Sequence, residues 1–371
     1  MGGGVIQLIT YGKQDVYLTG NPQITYFKTV YRRHTNFATE CIQQRIEGNI
    51  NRGSKVKCKI ARDGDLISNI YFEFESQATD YPINLGNYMF EKVDLLIGDQ
   101  LISSLTGHYM YIHSLLTQDF TKKLKYTLMI NQNDNKIGKL MIPLPFWFCN
   151  NSSQAIPLIA LQYSEVVLNI EFKNFIKDNF QGIFNDRTGE VWVEYIFLDT
   201  NERRRFAQVS HEYLIEQVQF EKKKISERTV IDLNFNNPIK ELIFSTDFNE
   251  DGVINKLVDT DDTADTEIPT ISMTLNGNDI FQKNRNLYYF TRTQIYEKHS
   301  GEIEDRIGVF SFALRPEEHQ PSGTLNFSTL KNFQIIFNDI KNTNNDIMIV
   351  YGINYNFLRI ISGVAGLAYS S

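Results

Sequence analysis

The chain has 371 residues and a mass of 43.0 kDa, enough to bury about three quarters of its unfolded surface without covalent staples. Its net charge of −7 argues against nucleic acid as a direct partner, and Cys41, Cys58 and Cys149 make neither a CxxC pair nor a disulfide framework, which points to folding in a reducing compartment. No apolar run reaches the ~18 residues of a transmembrane helix, and 26 Phe with 19 Tyr suit sheet layers better than a helical bundle.

Residues 1–36 show no sustained hydrophobic period, and residues 1–25 are expected to be an extended arm. The run MGGGV lacks the Lys-Ser/Thr of a phosphate-binding loop. It also lacks the features of a signal peptide, and Ile6 stands where myristoylation wants Ser or Thr. Strand patterns follow in ATECIQQRI, SKVKCKIA and LISNIYFEFE, with Asp63-Gly64 as a hairpin signal. YMFEKVDLLIGDQLI turns at Gly98-Asp99. Residues 103–125 carry Tyr109, Ile112, Leu115 and Leu116 at helical spacing, with Lys122, Lys123 and Lys125 near the end. Strands resume at 140–149, 156–172 and 189–199.

Residues 200–213 are charged and read as a linker. A second strand series then runs through IEQVQFEKKKI, RTVIDLNF, KELIFSTDF, an acidic loop, TISMTLNGNDIF, a Tyr-rich stretch and FSFALRPEEHQPSGTLNF (310–327). In this last segment two prolines and a glycine in eight residues exclude helix. It is expected to be strand–loop–strand, with Glu317, Glu318, His319 and Gln320 facing water. The chain closes with DIMIVYGINYNFLRII and a small-residue tail.

The two series match in order. Asn69-Ile70-Tyr71-Phe72 pairs with Glu241-Leu242-Ile243-Phe244, and Ile97-Gly98-Asp99 with Asn276-Gly277-Asn278. Tyr109-Met110-Tyr111 pairs with Tyr288-Tyr289-Phe290, Leu161-Gln162-Tyr163-Ser164 with Leu325-Asn326-Phe327-Ser328, and residues 191–195 with 347–351. The offset changes between blocks, as when loops vary and strands persist. The fold class is therefore all-β: a double jelly roll of two tandem eight-stranded antiparallel β-sandwiches with short inserted helices. The boundaries are 26–199 for the first jelly roll and 214–371 for the second. An immunoglobulin-like sandwich lacks its Cys…Trp…Cys spacing.

Several longer strings carry a specific resemblance: QLITYGKQDVYLTGNPQITYFKTVYRRHTNFA near the start, PLPFWFCNNSSQAIPLIALQYSEV, DTNERRRFAQVSHEYLIEQ, RPEEHQPSGTLNFS and NYNFLRIISGVAGLAYS. They resemble the major capsid proteins of nucleocytoplasmic large DNA viruses, over the whole chain. The resemblance implies a double jelly roll that forms homotrimers and tiles an icosahedral shell, usually over an internal membrane. Here the second half is compact, with one long loop at 245–270, and many relatives carry larger ones.

Other readings are weighed against that one. DFNEDG (247–252) fits the start of an EF-hand loop, but Val258 stands where a bidentate acid belongs. With Asp259, Asp261, Asp262, Asp265 and Glu267 following, a solvated acidic loop is expected. His108 and His113 are badly spaced for a zinc pair, and a third ligand is missing. Ser210, His211 and Glu212 are adjacent, with no G-x-S-x-G elbow. Asn150, Asn151 and Asn326 begin N-x-S sequons, without a secretory signal to bring luminal glycosylation. Arg203, Arg204 and Arg205 are read either as bridges between barrels or subunits or as simply solvated; Lys222, Lys223 and Lys224 form the other basic cluster.

No catalytic, cofactor-binding or metal-binding residues are assigned, and no enzyme activity is expected. The function read from this sequence is a structural virion protein, the major capsid subunit. Alternatives are a minor or penton-proximal paralogue, an assembly scaffold of the same fold, and a carbohydrate-binding jelly roll, for which no paired carboxylates are evident. Partners are further copies of the chain, then minor capsid and penton proteins. The lack of a core pattern in the arm is the reason to expect it beneath the trimer, bound to minor capsid proteins or at the internal membrane. The expected location is the virion shell, assembled in the host cytoplasm. The charged tip at Glu317-Glu318-His319 is expected to break the pseudo-sixfold symmetry of the trimer.

Overall fold

A computed structural model describes residues 2–76, 78, 81–130, 138–174, 182–184, 188–257, 268–303, 305–340 and 346–369. The chain divides into Met1–Asn36 and Phe37–Ser371. The first unit holds two short helices, Gly3–Ile9 and Val16–Thr19, neither with a buried residue. Leu8, Tyr17, Leu18, Tyr26 and Phe27 are all more than 80% exposed, so this unit has no core of its own.

In the second unit, the first eight main strands are β1 (Phe37–Gln44), β2 (Lys55–Lys59), β3 (Leu66–Ser76), β4 (Phe90–Ile97), β5 (Gln100–Leu105), β6 (Gly138–Pro143), β7 (Val166–Phe172) and β8 (Thr188–Leu198). They form two antiparallel sheets, ordered β1-β8-β3-β6 and β2-β7-β4-β5. The next eight are β9 (His211–Lys224), β10 (Arg228–Asp232), β11 (Pro238–Thr246), β12 (Thr270–Leu275), β13 (Asn278–Asp279), β14 (Ile307–Ser311), β15 (Phe333–Asn338) and β16 (Ile347–Ile361). Their sheets are ordered β9-β16-β11-β14 and β10-β15-β12-β13, the same connectivity repeated. Each half is an eight-stranded jelly roll, and the protein is a double jelly roll.

Finer marks of duplication lie in the register. Opposite β8, Glu194 pairs with Asn69 but Tyr195 pairs with Ile67, so Ser68 is bulged out. Opposite β16, Ile353 pairs with Glu241 but Asn354 pairs with Ile239, bulging Lys240. Both bulges fall at the same point of the repeated strand, and a bulge re-aims the side chains around it. The β4–β5 and β12–β13 turns also match. Gly98 and Asp99 have φ of 58° and 63°, Asn276 and Gly277 have 50° and 82°. Two successive left-handed residues make the hairpin turn whose twist suits the flanking strands.

That geometry corrects the alignment. Gly98 corresponds to Asn276 rather than Gly277, because either position of such a turn can carry the glycine. The short strand Ile156–Pro157 pairs with β3 as Leu325–Asn326 pairs with β11, so residues 156–160, not 161–164, are the partner of residues 325–329. On β16 the match slips by three residues: Val191 faces Phe72 as Val350 faces Phe244. β16 is buried on both faces over most of its length, so its sequence has no alternation to fix register.

Other expectations change as well. β2 and β3 lie in opposite sheets, so Asp63-Gly64 is a crossover rather than a hairpin. A Cβ at Gly64 would sit 2.6 Å from Tyr195 Cβ. The single helix over 103–125 is two, α1 (Gly107–Thr117) and α2 (Phe120–Ile130). Asp119 Oδ1 accepts from Lys122 N and starts the second. Residues 200–208 form α3 (Thr200–Gln208), capped by Asp199 Oδ1 accepting from Glu202 N at 2.8 Å. The Asp-x-x-Glu spacing was a readable helix-start signal. Near the end, a π-helical turn (Tyr289–Thr293) runs into α4 (Gln294–Lys298).

Candidate functional site

The two barrels meet along a seam that follows from the pattern of β11 and β16. Leu242, Phe244, Met348 and Val350 point into the second barrel's core. The residues between them, Ile243, Ile349, Tyr351 and Ile353, join the core of the first barrel. One sheet thus serves two cores, and each large apolar side chain so buried contributes about 1.5–3 kcal/mol.

Helix α1 fills the seam from the first barrel. Thr106 Oγ1 caps it by accepting from Tyr109 N at 3.1 Å. His108 is buried with both ring nitrogens engaged across the seam. Thr246 O, which can only accept, lies 2.8 Å from Nε2, and the Tyr351 hydroxyl lies 2.8 Å from Nδ1. The proton therefore sits on Nε2 and Nδ1 accepts. Burial pushes the His108 pKa down to about 4, so the ring is neutral. Phe248 reaches back between His108, Tyr88 and Tyr111, at ring-centroid distances of 4.9, 5.5 and 5.7 Å. The carboxy-terminal strand Val364–Leu367 pairs with β16, and Leu367 N donates to Gln100 Oε1 of the first barrel.

At one end of the seam lies a cavity of about 640 Å³, lined by Tyr109, His113 and Trp147 from the first half and by Lys240, Glu241, His299 and Glu317 from the second. The bulge at Lys240 turns two consecutive charged residues inward. Lys240 Nζ donates to Glu216 Oε1 at 2.5 Å and to Pro316 O at 2.7 Å. Glu241 Oε2 faces His299 Nε2 at 3.1 Å, and His299 Nδ1 faces Glu317 Oε1 at 3.2 Å. Burial alone would lower the His299 pKa, but the Glu241 and Glu317 carboxylates outweigh it and hold it up at about 9. Burial would raise Glu241, yet His299 and Lys240 keep it below the usual carboxylate range.

The tip of residues 310–327 is therefore not simply a water-facing loop. Glu317 is 28% exposed at its side chain and tied to His299, whereas Glu318 is exposed and pairs with Arg315 at 3.1 Å. Its flanks pair with β11 at successive positions rather than with each other.

The remaining singled-out residues fall elsewhere. His113 lines the cavity, its pKa lowered to about 4 by burial first and Lys240 second. In DFNEDG, Asn249 Oδ1 accepts from Asp251 N and Val253 N, and Asp247 pairs with Lys222 at 3.2 Å. The first and third residues of the would-be calcium loop are thus engaged by the protein itself. Val258, Asp259, Asp261, Asp262, Asp265 and Glu267 lie outside the described residues. His211 Nε2 donates to Phe206 O and Glu212 pairs with Arg359, so neither turns toward Ser210. Arg203 holds Asp65 of the first barrel at 3.0 Å, and Lys223 Nζ donates to Val230 O. Asn151 and Asn326 accept from the backbone N–H two residues on.

Two jelly rolls sharing a core through one sheet define the class of double jelly-roll proteins, here with no cluster of metal-ligating side chains among the described residues. The family described as major capsid protein N-terminus matches residues 25–199, and that described as large eukaryotic DNA virus major capsid protein matches residues 202–366. The major capsid protein of Pyramimonas orientalis virus is 41% identical, with all of both chains covered. That of Paramecium bursaria Chlorella virus 1 is 36% identical, again over all of both. Among solved structures, a chain of the PBCV-1 virus capsid quasi-atomic model superposes with a TM-score of 0.82 at 32% identity, covering 94% of this chain and 100% of that one. The chain belongs to the family of large eukaryotic DNA virus major capsid proteins. It is a structural protein of the virion capsid, in a family that is not enzymatic.

Proposed function

We propose that three copies of this chain close into a pseudo-hexagonal capsomer, and that these capsomers tile an icosahedral shell. One observation carries this reading. The sheet face of the second barrel that α1 covers, with Ile243, Tyr351 and Ile307, has a less buried counterpart in the first barrel. There Tyr71 and Trp192 are half-buried and Met141 is 41% exposed. The covering segment also has a counterpart, residues 288–298, whose Tyr296 is 80% exposed. The second barrel of one copy thus offers the first barrel of the next the contact already made within the chain. A repeated head-to-tail contact of this kind forms a ring when its rotation closes, and three two-barrel chains supply six similar barrels.

In this reading residues 26–199 and 214–371 are the two jelly rolls, 200–213 joins them, and residues 1–25 are an arm for minor capsid proteins or the internal membrane. Penton proteins are further partners, and assembly takes place in the host cytoplasm. Native mass measurement of the purified chain tests the trimer. A species near three times 43.0 kDa is expected, and a monomer at micromolar concentration would overturn the reading.

A further inference from the structure

The cavity end of the seam gathers charged groups from five segments, and two of them meet on one imidazole. His299 follows α4, and its side chain is 2% exposed. Glu241 meets it from β11 and Glu317 from the loop at 315–322. Behind Glu241 stands Lys240, which is held by Glu216 of β9. From the first barrel, His113 of α1 and Lys122 of α2 line the same cavity, while Asp119 is spent on capping α2. His319, further along the loop, lies 3.4 Å from Gln154 Nε2.

The residues after His299 grip the first barrel. Gly301 N donates to Leu116 O at 2.8 Å, Ser300 Oγ to Thr117 O at 3.1 Å, and Lys123 pairs with Glu302 at 2.6 Å. Glu317 Oε1 also accepts from Ser300 N at 3.0 Å. One imidazole therefore stands between the strand, the loop and the segment that fastens the two barrels.

We propose that His299 is a protonation-controlled latch: as a cation it clamps the loop at 315–322 onto the seam, and as a neutral ring it lets that loop go. The imidazolium meets both carboxylates at once, hydrogen-bonding Glu317 through Nδ1 and holding Glu241 by charge across the 3.1 Å contact at Nε2, where the two atoms are buried without a hydrogen bond of good geometry. A neutral imidazole has lost the charge that holds Glu241 and keeps one proton, so one of the two carboxylates faces a ring lone pair, and Glu317 is left with the Ser300 N–H alone when it is that one. Glu241 is the deeper of the two, with 5% of its side chain exposed against 28% for Glu317, so Glu317 and its loop are the part that moves.

The direction in pH follows from the raised pKa. The stabilisation is fully present below the ordinary histidine value of about 6.5, and is lost as pH rises through about 9. Glu241 and Glu317 are held low, so the clamp fails again only in acid below the ordinary carboxylate range. His113 is neutral throughout the alkaline window, and Lys240 is held cationic by Glu216 and Glu241 against the effect of burial. Neither produces an alkaline transition near pH 9. The latch acts within one copy of the chain and does not depend on the trimer.

Hydrogen exchange of the full chain between pH 6 and 10, normalised to the intrinsic exchange rate at each pH, tests the latch. Protection over residues 313–322 is expected to fall at least tenfold with a midpoint near 9, while β15 keeps its protection. His299→Gln should show low protection at every pH with no transition. His299→Lys should move the midpoint upward. Glu317→Gln, a change at the surface end of the cluster that leaves the buried pair intact, should move it downward, and keeps the test open if His299 variants do not fold. Unchanged wild-type protection at pH 10, or the same transition in Glu317→Gln as in the wild type, would overturn the proposal.

Discussion

His108 Nδ1 and the Tyr351 hydroxyl meet at 2.8 Å across the seam, one from a helix of the first barrel and one from the longest strand of the second. The contact works only with a neutral ring, and its pKa is lowered to about 4 by burial. The unfolded chain binds this proton near pH 6.5, so stability falls as pH drops through that window. Between pH 7 and 5 the loss from this one residue is about 2 kcal/mol. His108→Gln keeps a donor for Thr246 O and an acceptor for Tyr351, and should make that part of the pH profile shallower in urea titrations, the remainder coming from His113, whose pKa is also lowered to about 4.

Close packing at the base of α1 gives a second outcome. A Cβ at Gly107 would lie 2.0 Å from Asn87 O, and one at Gly308 would lie 2.1 Å from the Phe244 ring. Backbone and a core ring cannot give way cheaply, so Gly107→Ala and Gly308→Ala should each cost about 3 kcal/mol. The shift in urea midpoint measures it.

The hairpin turn at Asn276 gives a milder one. Asn276 has φ of 50°, and its Oδ1 accepts from Lys331 N at 2.9 Å and Asn332 N at 3.1 Å. Asn276→Ala loses both bonds and strains the backbone, for about 1–3 kcal/mol. Asn276→Asp keeps the acceptor and should cost less, as thermal unfolding of the two variants would show.

For the capsomer, Trp192→Asp and Tyr296→Asp place a charge on either side of the proposed contact between copies. Each should shift sedimentation from trimer toward monomer while circular dichroism and the melting temperature of the monomer stay put. Two variants that remain trimeric would place the interface elsewhere.

The loop at 247–252 should not respond to calcium. Asn249 holds its own backbone and Asp247 holds Lys222, so millimolar calcium should leave the melting temperature unchanged. A rise of several degrees would show that the acidic residues assemble into a site.

Much of the candidate site lay outside the reach of the sequence. Glu317 looked like a solvated tip because charged residues beside prolines usually are. Its partner His299 stands in a segment with no strand or helix signal of its own, and Glu241 sits in an apolar strand where a bulge, invisible in the sequence, turns it inward. The break between α1 and α2 was equally hidden: lysines and apolar residues continue the helical spacing through Gln118 and Asp119. The helix α3 was legible, through Asp199 and Glu202, but its charged composition read as a linker.

By itself the sequence determined the class of fold, because alternation marks a strand with one wet face and the matched blocks repeat in order. It also determined the family, through long strings spread over the whole chain. Only the tertiary structure decided the register of β16, the pairing of the two barrels and the fate of the charged tip. A strand buried on both faces carries no alternation, and a charge finds its partner through space: Glu317 and His299 are brought together by a seam that neither segment encodes alone.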